Sequence, residues 1–411
     1  MLNRYREILS LPGAWQFAVA GIVARAPMSM VGISIILGVR ALYGSYSLAG
    51  FISAVQVISF AVGAPVLARL VDRFGQAQVM LPSIMVSAAA AVGLIVAIVN
   101  LAPAWVLAAL AAVTGAAAGS LGALVRARWA YVCTDAAQLQ VAYAMEAAFD
   151  ELVFVLGPVA ATLLAASVHP LAGLWVAVAL MVGGSVAFLL QRSTQPPVNL
   201  SASAQRKESV MRSGAMLMLA ATFIFTGTLF GSIDLSVVAF SDEVGMSFMA
   251  GIILASMSLG SLISAVIYGA RVWATPLWRL FFWGVVLLAV GSSTFLFSPN
   301  LAVLAALMFV AGLTISPTMT NVNTIVQRIT PAARLTEGLT WMSTAMTLGV
   351  SLGSAVTGPS IDSYGHRGGF TLTLVFAWLM VLAAFFGLPA LRKSLAKTTT
   401  LPELSVQSAS S

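Results

Sequence analysis

The sequence predicts an all-α polytopic membrane protein in which twelve transmembrane helices form two pseudo-symmetric six-helix bundles. Of its 411 residues, 60% are hydrophobic and only 8% are charged, whereas about 25% of the residues of a soluble domain are charged. Its apolar runs are continuous, and most reach the roughly 20 residues that a helix needs to span a bilayer. A transmembrane barrel would instead alternate polar and apolar residues over about 10 positions.

The apolar segments divide into two sets of six. Between the sets lies a polar stretch, 191–212, which contains two adjacent prolines and which we predict to be a cytoplasmic linker. It separates the predicted bundles 1–190 and 213–392, and we expect residues 393–411 to form a disordered cytoplasmic tail. The twelve segments are 13–37, 46–68, 79–99, 104–125, 138–166, 170–190, 214–240, 247–269, 278–298, 301–326, 336–361 and 368–389.

The basic residues predict the orientation of the chain. With the N-terminus inside, seventeen of the twenty Lys and Arg residues fall in inner connections or termini, and only Arg40 and Arg367 fall in outer loops. Cytoplasmic loops carry such an excess of basic residues. We therefore expect a multi-pass protein of the plasma (inner) membrane with both termini cytoplasmic, and the net charge of +7 needs no nucleic-acid partner.

A weak internal repeat supports two homologous halves. An offset of 201 residues aligns the Gly-Ala pair at 13–14 with the pair at 214–215, and the Gly-Pro pair at 157–158 with the pair at 358–359. Each pair falls in the equivalent helix of its half. Internal repeats around a site near the bilayer midplane are typical of secondary transporters.

The connection between the second and third segments carries a recognisable motif. Residues 68–75 read Ala-Arg-Leu-Val-Asp-Arg-Phe-Gly, which resembles the major facilitator superfamily signature Gly-x3-Asp-Arg-x-Gly in the same loop. The resemblance implies the major facilitator fold and a role for Asp72, Arg73 and Gly75 in conformational gating. Independently, Gly75 allows a backbone conformation that other residues avoid.

The fifth segment contains Gly157-Pro158, which resembles the glycine-proline motif of the drug:proton antiporter (efflux) branch, as in actinobacterial permeases. The resemblance implies a gating role for Gly157 and Pro158 and proton-coupled export of a small amphipathic molecule or drug. Position 111 is Ala, where that branch carries an Arg in its fourth helix. This difference favours the alternative, a uniporter or a proton symporter for a small metabolite.

Charged residues within the apolar segments are candidates for proton coupling. At 1.5 Å per residue, Arg25 lies about 18 Å into the first segment, Asp150 and Glu151 lie at a similar depth in the fifth, and Glu146 lies about 12 Å deep. We expect Arg25 to pair with Asp150 or Glu151, which reach a similar depth, because an unpaired charge in the bilayer is costly. One Arg cannot neutralise three acids, so at least one of them can carry a proton. Asp234 in the seventh segment is a further candidate, and fixed packing charges are the alternative.

The tenth segment carries a polar stripe that includes Thr320, Asn321 and Asn323. In the family that the chain resembles, this helix lines the central cavity, so we expect the stripe to contact substrate. Hydrogen bonding between helices is the alternative.

Catalysis is not expected. The chain has one Cys and two His residues, too few for a metal site, and it contains no nucleotide-binding Gly-x4-Gly-Lys-Ser/Thr loop. We predict no enzyme activity, no metal and no cofactor. The expected partners are a small-molecule substrate, protons and the lipid bilayer, and we expect a monomer; a membrane enzyme or another non-catalytic membrane protein is a remote alternative.

Overall fold

The structure is a computed structural model that describes residues 2–134, 136–197, 211, 213–269, 273–330 and 335–399. Every regular element in these residues is a helix, which confirms the predicted all-α fold class. The α-helices of the described residues are α1 Leu2–Leu9, α2 Ala14–Arg25, α3 Pro27–Tyr43, α4 Tyr46–Phe74, α5 Gln76–Val99, α6 Ala104–Ala118, α7 Leu121–Val132, α8 Ala136–Ser167, α9 Ala172–Leu189, α10 Gly214–Glu243, α11 Met249–Gly269, α12 Leu277–Ser293, α13 Leu301–Gly312, α14 Ile315–Ile329 and α15 Leu335–Thr399.

These helices account for the predicted passes. Within the described residues, 11 helical segments are long and apolar enough to cross a membrane. The last of them covers 59 residues, Gly338–Ala396, and its helix is kinked at Gly365, where φ is 65° and ψ is −162°. Since one crossing takes about 20 residues, this kinked segment is long enough for the eleventh and twelfth passes.

Three of the spans are interrupted, which the sequence did not predict. The first span divides into α2 and α3 at Pro27, because proline has no backbone N–H to donate within the helix. The fourth divides into α6 and α7 at Gly119, whose φ of 63° ends the helix. The tenth divides into α13 and α14 between Gly312 and Ile315. The first break places Arg25 at the last residue of α2.

The contacts divide the chain into two compact units. The first contains 1–205, 234–255 and 354–366, and the second contains 206–233, 256–353 and 367–411. The predicted boundary between bundles stays a prediction, because 198–210 and 212 of the linker lie outside the described residues.

The predicted disordered tail needs a partial correction. Helix α15 continues to Thr399, so the segment 393–399 is helical. Its Lys, Leu and Ala residues have good helix propensity, which explains why the helix extends beyond the last apolar segment. The remainder, 400–411, lies outside the described residues.

Glycines set the spacing of helices within each unit. In the first unit, a Cβ on Gly63 would overlap the carbonyl oxygen of Ala116. In the second unit, a Cβ on Gly227 would overlap the carbonyl oxygen of Met346, and one on Gly349 would overlap that of Ile224. Small residues allow helix backbones to approach this closely in membrane proteins.

Candidate functional site

A buried ionic network joins α2 to α8 in the first unit. Arg25 Nη2 pairs with the Glu146 carboxylate, and Nη1 donates to Asp150 Oδ1 at 2.8 Å. Its Nε donates to the carbonyl oxygen of Gly21 at 3.1 Å, which fixes the plane of the guanidinium. The side chains of Arg25 and Glu146 are only 3% and 0% exposed. Of the two acids that the depth count placed level with Arg25, Asp150 is a partner and Glu151 is not, and the second partner is Glu146, one turn away.

Helix α7 completes this network. Arg126 Nη2 donates to Asp150 Oδ2 at 2.6 Å, and Trp129 Nε1 donates to Glu146 Oε1 at 2.7 Å. From the sequence, Arg25 alone was weighed against the three acids, because the count of basic residues had placed Arg126 in an inner connection; Arg126 is a second cation of this network. The break before α7 starts a new helix that directs Arg126 at α8, so two cations balance two carboxylates.

Two of the predicted coupling residues stand outside the network. Glu151 is half-buried, and helix geometry rotates it about 100° from Asp150. It makes no hydrogen bond or ion pair with any residue that the structure describes. Asp234 on α10 is also half-buried and without such a partner in the described residues. The other two predicted acids, Glu146 and Asp150, both form ion pairs.

The residues of the predicted gating motif lie at the turn between α4 and α5. Gly75 has φ of 91° and ψ of 157°, a positive φ of the kind that its identity predicts. Arg73 is exposed, with its guanidinium carbon 5.1 Å from the centre of the Phe74 ring. The side chain of Asp72 lies outside what the structure describes. The gating role of these residues stays a prediction.

The Gly157-Pro158 pair lies within α8, where that helix meets α3. A Cβ on Gly157 would overlap Ser29 Oγ, so glycine permits the close approach of the two helices. Ser29 Oγ donates to the carbonyl oxygen of Val153 at 2.9 Å, and Thr162 Oγ1 donates to that of Pro158 at 2.9 Å. The polar bonds stabilise α8 around its internal proline.

Arg128 is a structural residue that the sequence did not single out. It is fully buried; Nε donates to Gln76 Oε1 at 2.9 Å, and Nη1 donates to the Gln191 carbonyl at 2.9 Å and to Thr194 Oγ1 at 3.0 Å. Its guanidinium lies 3.9 Å from the centre of the Phe188 ring. Gln76 is the first residue of α5, directly after the turn that carries the predicted gating motif. The hydrogen bonds of Arg128 therefore connect this turn to α7 and to the segment after α9. Arg126 and Arg128 are two residues apart on a helix, so their side chains leave α7 on different faces. The sequence alone could have indicated that they have different partners.

A second polar cluster of the first unit lies at the N-terminus of α4. The Asp362 carboxylate accepts hydrogen bonds from the backbone N–H groups of Tyr46 and Ser47, both at 2.8 Å. It also accepts from the hydroxyl of Ser45 at 3.1 Å. The Ser45 hydroxyl in turn accepts from Leu48 N–H at 3.1 Å. Three of the N–H groups that have no partner within the helix are thus satisfied.

Ionic contacts surround this cap. Asp242 Oδ2 lies 3.3 Å from Arg40 Nη2 and accepts from the Tyr46 hydroxyl at 3.1 Å. Glu243 pairs with the His366 ring and accepts from the His366 backbone N–H at 2.7 Å. These contacts join α3 and α4 to the ends of α10 and of the first half of α15, all within the first unit.

The second unit contains a cavity of about 410 Å³ between α10, α14 and α15. Of the three residues named for the predicted polar stripe, only one lines this cavity. Asn323 lines the cavity, whereas Asn321 is only 4% exposed and accepts from the Tyr268 hydroxyl at 2.8 Å. Thr320 is exposed beside the cavity and does not line it. Asn321 thus serves the interhelical hydrogen bonding that was the alternative.

Several solved structures of transporters have a fold similar to that of this chain. A D-xylose-proton symporter has 15% identity and a TM-score of 0.70, with coverage of 91% of this chain and 97% of that one. A bacterial homologue of the iron transporter ferroportin, in an inward-facing state, has 16% identity and a TM-score of 0.67, covering 93% and 98%. The nucleoside transporter NupG has 15% identity and a TM-score of 0.65, covering 92% and 98%. At these identities the likeness shows the fold alone.

Family assignment rests on the sequence itself. No curated protein sequence matches the chain significantly. The model of the family described as Major Facilitator Superfamily matches residues 17–275 and 275–409, which is most of the chain. Membership of this family indicates a membrane transporter and not an enzyme. The chain belongs to the Major Facilitator Superfamily.

Proposed function

We propose that this transporter is a secondary active exporter that exchanges a small amphipathic molecule for protons by alternating access. The observation that carries the proposal is the contrast between Glu151 and its neighbours. Glu146 and Asp150 are bound by Arg25 and Arg126, while Glu151, in the same turn of α8, has no such partner in the described residues.

The ionic network makes Glu151 the better proton carrier of the three acids. Protonation of Glu146 would leave Arg25 buried with one carboxylate fewer, and an uncompensated buried charge is strongly unfavourable. Glu151 can bind and release a proton without breaking an ion pair. Arg25 and Asp150 then set the local field, so a movement of α2 relative to α8 would change the proton affinity of Glu151. Asp234 is a second carrier of the same kind.

Proton-driven uptake into proteoliposomes tests this proposal. Radiolabelled chloramphenicol is the first probe, and a nucleoside and D-xylose, the substrates named for structural neighbours, complete the panel. Glu151→Gln should abolish uptake driven by an imposed pH gradient but preserve exchange without one. Glu7→Gln, at an exposed position on α1, is the matched control. If Glu151→Gln and Asp234→Asn, singly and together, leave proton-driven uptake intact, the coupling assignment is wrong.

The competing function is uniport, or proton symport, of a small metabolite. The alanine at position 111 favours it. A pH-sensitive dye inside the vesicles separates the alternatives, because antiport moves protons against substrate, symport moves them with substrate, and uniport leaves the pH unchanged.

The orientation is part of the proposal. The excess of basic residues favours cytoplasmic termini in the plasma membrane. An epitope tag at either end should be reached by antibody only after the cells are permeabilised. Labelling of either tag from outside intact cells would contradict this orientation.

A further inference from the structure

The cavity of the second unit has an apolar wall made of flexible side chains. Met342 and Met346 of α15 and Met319 of α14 form most of it, and Phe223 of α10 adds an aromatic ring. Methionine is unbranched and polarizable, so it adapts to ligands of different shape. The wall is therefore suited to an apolar or aromatic group and can accommodate ligands of different shapes.

The lining of the cavity also presents amide groups. Asn323 and Gln327 are four residues apart on α14, which places them on the same helix face. Ser343 of α15 adds a hydroxyl. None of these three side chains makes a hydrogen bond to a residue that the structure describes. Each amide offers two donors and one acceptor, and such groups in an apolar pocket fix the orientation of a ligand.

We propose that this cavity binds an uncharged, partly aromatic molecule through a carboxamide-like edge that pairs with Asn323 and Gln327. The inference rests on the proposed function, in that it names the substrate class of a small-molecule transporter. The volume of about 410 Å³ lies within the range of roughly 300–1,000 Å³ that holds drug-sized ligands.

The lining also argues against a charged ligand. None of the described residues that line the cavity is charged. A charged ligand would lose part of its hydration in this cavity and gain no counter-ion from the described lining, which is costly. A neutral amide recovers its hydrogen bonds from the two side-chain amides.

Three related compounds test the class directly by equilibrium binding to the purified full chain. Chloramphenicol is neutral, aromatic and carries an amide; its deacylated amine is a cation without the amide; its hemisuccinate ester is an anion that keeps the amide. We expect saturable binding of radiolabelled chloramphenicol that the amine and the hemisuccinate displace at least 10-fold less well. Equal displacement by all three, or no saturable binding, would overturn the inference.

Variants of α14 then locate the site. Asn323→Leu and Gln327→Leu remove the amide and leave an apolar side chain of similar size, so each should weaken chloramphenicol binding about 3- to 10-fold, the size of one or two hydrogen bonds. Asn323→Asp should weaken chloramphenicol binding and improve that of the amine. Thr324→Val, on the same helix outside the lining, is the control. Unchanged affinity in both Leu variants, or an equal loss in Thr324→Val, would overturn the inference.

The binding assay and the transport assay together distinguish failure of the cavity assignment from failure of the proposed function. If the variants lose binding but no probe is exchanged for protons, the proposed function is wrong and the cavity assignment stands. If proton exchange occurs with chloramphenicol and the Leu variants bind it normally, the proposed function stands and the cavity assignment is wrong.

Discussion

The carboxylate of Asp362 accepts a hydrogen bond from the backbone N–H of Tyr46, the first residue of α4, with 2.8 Å between Oδ1 and N. The same carboxylate binds the next N–H, at Ser47. An acidic group at a helix N-terminus is favourable both as a hydrogen-bond acceptor and through the helix dipole. The contact therefore stabilises the conformation in which α15, just before its kink at Gly365, lies against the N-terminus of α4.

We expect Asp362→Ala to lower the free energy of unfolding by about 1 kcal/mol, the usual cost of a lost cap. It should also populate a conformation in which α4 and this end of α15 lie farther apart, because weakening a contact of one state favours the other. Spin labels at the exposed positions 51 on α4 and 364 on α15, in a chain with Cys133→Ser, would report a longer distance component. Ser363→Ala, at the exposed neighbour, should leave the distances unchanged; identical distributions in both variants would contradict the expectation.

Arg25→Ala should destabilise the protein far more than Glu151→Gln. It leaves Glu146, which is 0% exposed, without its cation, and breaking a buried ion pair costs about 3–5 kcal/mol. Glu151→Gln removes no hydrogen bond or ion pair with a described residue, so its unfolding midpoint should match that of the unaltered protein. Thermal unfolding in detergent measures both. Equal stability of the two variants would show that the network does not hold α2 against α8.

Gly227→Ala and Gly183→Ala form a matched pair of helix substitutions. A Cβ at Gly227 would overlap the Met346 carbonyl, whereas one at Gly183 on α9 meets nothing within 4 Å. We expect Gly227→Ala to cost about 1–3 kcal/mol through overpacking. Gly183→Ala should gain about 0.5–1 kcal/mol, because alanine favours the helix. Chemical denaturation measures both, and a loss at Gly183 equal to that at Gly227 would refute the packing argument.

Asp72→Asn should slow transport and leave the affinity for chloramphenicol nearly unchanged. Asp72 lies in the signature turn beside Gly75, at the end of α4, and not in the cavity of the second unit. Turnover and equilibrium binding measured on the same preparation separate the two effects. A large loss of binding with normal turnover would contradict the gating role.

The spans and the Arg25 pairing could be predicted because both depend on a constant rise per residue. Counting 1.5 Å per residue is sufficient to place Arg25 and Asp150 at one depth. The helix breaks could not be read in this way. Whether Gly119 bends the chain or merely packs within a helix depends on the neighbours it meets, and its positive φ is known only from the structure.

The role of a charged side chain was harder to predict than its depth. In the sequence, Arg126 and Arg128 were both interpreted only as basic residues of a cytoplasmic connection. In the structure Arg126 binds Asp150, and Arg128 is buried against Phe188. A count of basic residues ignores the direction in which each side chain leaves its helix. The same limit applies to Asn321 and Asn323, which are two residues apart and therefore on different faces of α14.

The contact between Gly227 and the Met346 carbonyl has a consequence for any redesign of the cavity. This contact and that of Gly349 with the Ile224 carbonyl fix the spacing of α10 and α15, which are two walls of the cavity. A larger residue at either glycine would overlap the facing backbone, so substitutions there would disturb the packing of the two helices. Substitutions on α14 and at the methionines would instead change the lining and preserve the spacing of α10 and α15.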